Sequence, residues 1–369
     1  MKMKLMSKLT ALALAVVLAF GAASCSTADQ SWSAEKDGDR LPVGVYVYNL
    51  YAAINTAKQQ EGVDSSVSLL DQQIDGQSAE DWIRAEALRY TKEIYYLRDQ
   101  LDALGIPLTE DEQAQAESLA ASAWGYIPDS VKKYVAQDSF VIAYGETSVM
   151  YSKLFDAIYG EGGSNEVPDD DLRAYFEDTY YDFDYVLSSL SYKEDTELTG
   201  EEGESSEMTE EEASARRELF EGYAEKINAG EMTMEEAAED FASVISSEDE
   251  ELTHQLIDGA YIDSYFPDGV RAALDEMADG EVRTLEVSTL SDGILLLQKN
   301  AISDAYDTFL ETESNRDTLL IGLKSDEFAA SVESGCDALE GVTFNDEAIS
   351  TYKVSEFYTF TPSSSSSAS

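Results

Sequence analysis

The chain has 369 residues, room for two modest domains, and 43% of them are apolar, enough to build packed cores. Twenty-four basic residues stand against 75 acidic ones, a net charge of −51 that disfavours nucleic acid and anionic membrane faces and points to neutral or basic partners. A single histidine, His254, and two cysteines, Cys25 and Cys336, exclude multi-histidine zinc sites, histidine-triad chemistry and a disulfide framework.

In chain order, Lys2, Lys4 and Lys8 precede an apolar run from Leu9 to Phe20, too short to span a bilayer. Ala22-Ala23-Ser24-Cys25 then places small residues before a cysteine, which resembles a lipoprotein signal peptidase site. That resemblance implies a signal peptide over 1–24 and a lipid on Cys25 that tethers the exported body to the outer face of the cell membrane. Losing residues 1–24 removes three lysines and no acid, taking the net charge from −51 to −54. Residues 25–40 read as a flexible tether. Cys336 is then the one thiol left, and its surroundings suit a small core residue rather than a nucleophile.

Val43, Tyr46, Val47, Leu50, Tyr51 and Ile54 recur at helical spacing after Pro42. Ser78 starts a second helix with an apolar stripe through Ile83, Ala87, Tyr90, Ile94, Leu97, Leu101 and Leu104, ended by Gly105-Ile106-Pro107. Thr109-Glu110-Asp111-Glu112 caps a third, and more helix runs from about 129 to 159. Pro168 opens a short helix through Leu172 and Phe176, after which the period changes: Phe183, Tyr185 and Leu187 alternate along a strand. The stretch 199–212, with seven glutamates and no base, reads as a disordered insertion. Helices over 212–228, 233–243 and 270–277 and strands over 282–287 and 293–298 complete an α+β pattern. Residues 301–335 are helical again, and a serine-rich tail occupies 362–369.

The order of these elements and three stretches of sequence resemble the PrsA-type extracytoplasmic foldase lipoproteins, related in layout to the chaperone SurA. The stretches are Leu104–Glu112, Val167–Phe176, and Ala273–Val282 followed by Ser291–Leu297. The resemblance implies a helical SurA/PrsA-like N-terminal domain over 41–178 and a parvulin-like domain over 179–300, a short antiparallel sheet covered by helices. A C-terminal helical segment over 301–361 would pack on the N-terminal domain.

Parvulins rotate Xaa-Pro amides, whose barrier is ~18–20 kcal/mol, by holding the proline ring in an apolar pocket beside two histidines and a Cys or Asp. Here the positions matching the histidines carry Tyr185 and Leu295, Asp249 matches the Cys/Asp position, and Phe266 and Val270 fall where the family places its pocket residues. His254 matches neither histidine and reads as a strand or edge residue. The resemblance therefore implies a folding factor that binds unfolded exported polypeptides with a degenerate isomerase site, and implies no metal or cofactor. Tyr46, Tyr48, Tyr51, Tyr90, Tyr95 and Tyr96 are candidates either for client contact or for helix–helix core. Alternatives are an active isomerase that relies on the apolar pocket, and an acidic cation-binding surface lipoprotein, although no Asp-x-Asp-x-Asp-Gly loop occurs.

Overall fold

The computed structural model describes residues 29–193, 207–245, 252–288 and 292–360. The expected signal segment, Cys25, most of the expected acidic insertion, Asp249 and the serine-rich tail lie outside the described residues. The described chain is α+β with small antiparallel sheets. It divides into two units, one holding the chain up to residue 164 and again from residue 326, the other holding residues 165–325.

The first unit opens on a hairpin of β1 (Trp32–Lys36) and β2 (Asp39–Pro42). Its turn residues Asp37 and Gly38 take positive φ of 53° and 89°, the conformation that a two-residue hairpin loop demands. This corrects the expected tether: residues 32–40 are folded, with Ser33 and Ala34 fully buried. The charged alternation of the segment concealed a strand whose partners are distant in sequence. Pro42 starts α1 (Val43–Ala57), and the Asp29 carboxylate accepts from Gly44 N (2.5 Å), Ala136 N (2.9 Å) and Ser139 Oγ (2.7 Å).

A tight pair β3 (Gln73–Ile74) and β4 (Gln77–Ser78) leads into α2 (Ala79–Leu104), capped by the Ser78 hydroxyl and closed by Gly105 at φ 71°. Helix α3 (Glu110–Trp124) carries the Thr109/Glu112 capping box that its sequence announces. Helices α4 (Asp129–Lys132) and α5 (Gln137–Phe140) precede a π-helical turn over Val141–Glu146, which runs into α6 (Thr147–Tyr159). A Cβ on Gly145 would stand 2.2 Å from the Ala116 carbonyl oxygen, so only glycine admits α3 this closely. Leu50, Ile54, Ile83 and Ala87 bury α1 against α2, and Asn49 donates to Thr91 Oγ1 (3.1 Å) inside that contact.

The second unit begins with α7 (Asp169–Thr179), earlier than the expected boundary at 179. It belongs there because Phe176 packs its ring against Tyr180, Tyr306 and Phe309 at 4.9–5.5 Å. Then follow β5 (Tyr180–Ser189), α8 (Glu210–Asn228), α9 (Met234–Ile245), β6 (Thr253–Asp258), α10 (Gly259–Tyr265), α11 (Val270–Glu276), β7 (Val282–Ser288), β8 (Asp292–Lys299) and α12 (Ile302–Phe309). The four strands form one antiparallel sheet in the order β6-β5-β8-β7.

Because side chains alternate along a strand, the sheet has two apolar faces. Val186, Ile294 and Leu296 pack against Phe220, Tyr223, Ala237 and Phe241 of α8 and α9. Phe183, Leu295 and Leu297 pack against Ile262, Val270 and Leu274 of α10 and α11. The expected C-terminal segment over 301–361 is corrected: α12 and the first part of α13 (Glu313–Ala338) belong to the second unit, where Tyr306 and Phe309 pack on Phe176, and only the chain from residue 326 belongs to the first. The first unit ends with β9 (Thr343–Phe344), which pairs with β1, then α14 (Asp346–Ile349) and α15 (Val354–Phe357).

Candidate functional site

Four of the five site residues expected from the sequence, Tyr185, Phe266, Val270 and Leu295, lie on the α10/α11 face of the four-stranded sheet, and the fifth, Asp249, lies outside the described residues. Tyr185 lies opposite Leu297 on β8 and Thr253 on β6. Leu295 lies between Leu187 of β5 and Leu285 of β7. Phe266 stands just past α10, where its N–H still donates to the Ile262 carbonyl (2.9 Å) and Pro267 stops the helix from continuing. Gly269, at φ 92°, turns the chain so that Val270 can start α11. The Phe266 ring meets Phe183 edge-on at 5.5 Å and Tyr185 at 5.8 Å.

Burial divides these residues by role. Val270 and Leu295 are 0% and 3% exposed and form the floor, whereas Tyr185 and Phe266 are half-buried and present ring surface to solvent. Leu187, 48% exposed, extends the same row. The sequence reading did not single out Leu187 as a site residue, although its two-residue offset from Tyr185 on a strand was the available signal.

The lone imidazole is on the other side of the sheet. His254 pairs with Asp184 across β6 and β5, and its Nδ1 stands 3.0 Å from Asp184 Oδ1 and 3.7 Å from Asp182 Oδ1. Asn300 Nδ2 donates to both carboxylates at 2.8 and 2.9 Å. His254 does sit on the edge strand, and strand alternation turns it away from Tyr185. The aromatic face therefore offers apolar contact and two phenolic hydroxyls, that of Tyr185 and that of Tyr181, which donates to Asp275 (2.6 Å), with no imidazole. Among the described residues no group of three or more His, Cys, Asp or Glu is arranged to hold a metal ion.

A cavity of about 160 Å³ in this unit is lined by Glu177, Asp178, Tyr181, Asp182, Asp275 and Lys299, and by none of the four expected site residues that lie among the described ones. The Lys299 ammonium there donates to the carbonyls of Leu274 (2.9 Å) and Met277 (3.1 Å). In the first unit a cavity of about 360 Å³ is lined by Arg98, Leu101, Asp102, Leu108, Glu146 and Met150. Arg98 there is paired with both Asp39 and Glu146.

The six candidate tyrosines all take part in packing within the first unit. Tyr46 and Tyr95 are buried, Tyr48, Tyr51 and Tyr90 pack against the core, and Tyr96 lies over Gly335, where a Cβ would stand 2.3 Å from its ring. Tyr95 hydroxyl donates to the carbonyls of Ala34 and Asp39, at 3.0 Å each, so its polar end serves the hairpin.

No family model matches the sequence, and no curated protein matches it. Among solved structures, the chain is similar to the foldase protein PrsA from Lactococcus lactis, with a TM-score of 0.36 and 12% identity, covering 89% of this chain and 100% of that one. It is also similar to PrsA from Streptococcus pneumoniae (TM-score 0.33, 13% identity, 77% of this chain and 98% of that one). A third similarity is to PrsA from Bacillus subtilis (TM-score 0.27, 13% identity, 74% and 91%). Superpositions this loose extend no activity to the present chain.

Proposed function

We propose that the chain is an extracytoplasmic folding factor, anchored to the outer face of the cell membrane through a lipid on Cys25, that binds unfolded exported polypeptides. Its second unit is a parvulin-like domain that receives a proline-containing segment on the α10/α11 face. The observation that carries this reading is the gathering of Tyr185, Phe266, Val270 and Leu295 into one apolar cluster with two half-exposed rings and no imidazole.

A proline ring is compact, apolar and already fixed in φ, so two aromatic rings meeting edge-on suit it by shape and desolvation alone. Amide rotation also benefits from polar groups that stabilise the twisted nitrogen. Tyr185 supplies one hydroxyl, and Leu295 supplies nothing. The domain accordingly acts as a proline-peptide receptor with weak or absent isomerase turnover.

The test is cis/trans isomerisation and binding of short Xaa-Pro peptides by the wild-type chain and by its Phe266→Ala and Tyr185→Ala variants. Binding that weakens in Phe266→Ala, with turnover at the uncatalysed rate, is the expected result. Turnover that Phe266→Ala abolishes would establish the second reading, an active isomerase. Peptide binding that ignores Phe266 would overturn both.

A further inference from the structure

Beside the proposed proline face stands a feature that neither packing nor capping explains. Tyr261 and Tyr265 are 45% and 72% exposed, yet their rings stack on each other with centroids 4.3 Å apart and planes 29° apart. Among the described residues they are the two exposed large aromatics that touch one another. They lie four apart on α10, and Ile262 and Phe266 each follow one of them in the chain, Phe266 standing just past the helix end. Ile262 is buried and Phe266 packs with the proposed proline face, so Tyr265, the residue before Phe266, brings the exposed pair next to that face along the chain.

The charge in the chain around the pair is mostly negative, with Arg271 the nearest base in sequence. From Asp258 to Val270 the chain carries three acids and no base. Asp258 caps α10 by accepting from Tyr261 N (2.8 Å), and Asp263 is paired with Arg271. Asp268 is exposed in the turn after Pro267. A stacked pair of electron-rich ring faces, flanked in sequence by the carboxylates of Asp258 and Asp268, is complementary to a cation on a flexible apolar stem.

We propose that Tyr261 and Tyr265 form a docking platform for a lysine or arginine next to the proline of an extended client segment. This rests on the proline-receptor reading and adds the substrate class: basic-flanked prolines are preferred over neutral or acidic ones. The aliphatic stem lies along the rings, and the ammonium or guanidinium faces the carboxylates of Asp258 and Asp268.

The test uses the full chain and three fluorescein-labelled peptides that place lysine, alanine or glutamate on both sides of one proline, with binding read by anisotropy at 0.15 M salt. Cation–π contacts at exposed rings predict a lysine-over-alanine preference of about five-fold. That ratio should fall to within two-fold in Tyr261→Ser/Tyr265→Ser, which changes no charge, and by about half in Asp268→Asn. A ratio unchanged in both variants would assign the preference to the overall net charge and overturn the platform. Equal binding of all three peptides, still dependent on Phe266, would sink the platform and leave the proline receptor standing. No binding of any peptide, or binding indifferent to Phe266, would remove both.

Discussion

Glu93 lies on α2 with its carboxylate largely buried, 3.9 Å from Arg89 Nη1, whose tighter partner is Glu86. Burial pushes its carboxyl up to about 7, with Arg89 opposing and Glu86 assisting. The folded state thus holds a proton that the unfolded chain releases near its ordinary value of 4.5. Stability from this group is full below about pH 4.5 and is lost as pH rises through 7. Glu93→Gln should therefore stabilise the protein at pH 8 by about 1–3 kcal/mol and change little at pH 4.5, so urea denaturation at the two values tests the assignment. Cys336, on α13, is fully buried, and burial with Glu93 nearby pushes its thiol up to about 12. In a Cys25→Ser chain it should resist a thiol reagent at pH 8 until denaturant is added; rapid labelling of the native protein would refute this.

At the scale of elements, the sheet is finished by a side chain. Asn228, at the end of α8, donates to the Val282 carbonyl (2.7 Å) and accepts from the Val282 N–H (3.0 Å), satisfying the first residue of β7 as a neighbouring strand would. Asn228→Ala leaves both groups unpaired and should cost about 1–3 kcal/mol, measurable as a lower denaturation midpoint. Helices with a caps-and-stripe signature were legible in the sequence, α2 from Ser78 and its 3–4 spacing, α3 from Thr109 and Glu112. The β1–β2 hairpin was not, because Glu35, Lys36, Asp39 and Arg40 read as solvated chain and its third strand arrives some 300 residues later, as Thr343–Phe344. The period of two from Phe183 to Leu187 placed Tyr185 on a strand, and Phe266 and Leu295 were found through resemblance. What no periodicity signalled is that Phe266 would turn back over Tyr185, since Pro267 and Gly269 set that geometry.

For the molecule as a whole, a net charge of −51, or −54 if residues 1–24 are removed as proposed, makes self-repulsion a standing cost. Raising salt from 0.01 to 0.15 M shortens the screening length from about 30 Å to about 8 Å and should raise the melting temperature, an effect scanning calorimetry would detect. A second consequence begins at Asp29, whose carboxylate is held by Gly44, Ala136 and Ser139. With Cys25 acylated as proposed, only residues 26–28 separate the lipidated residue from that fixed point, a contour of at most about 14 Å between Cα atoms. The anchor is then less a leash than a mooring post. A strongly acidic body would be moored within roughly two screening lengths of the lipid headgroups, so ionic strength would govern its lean toward the bilayer, and a single proteolytic cut within those three residues would set it adrift.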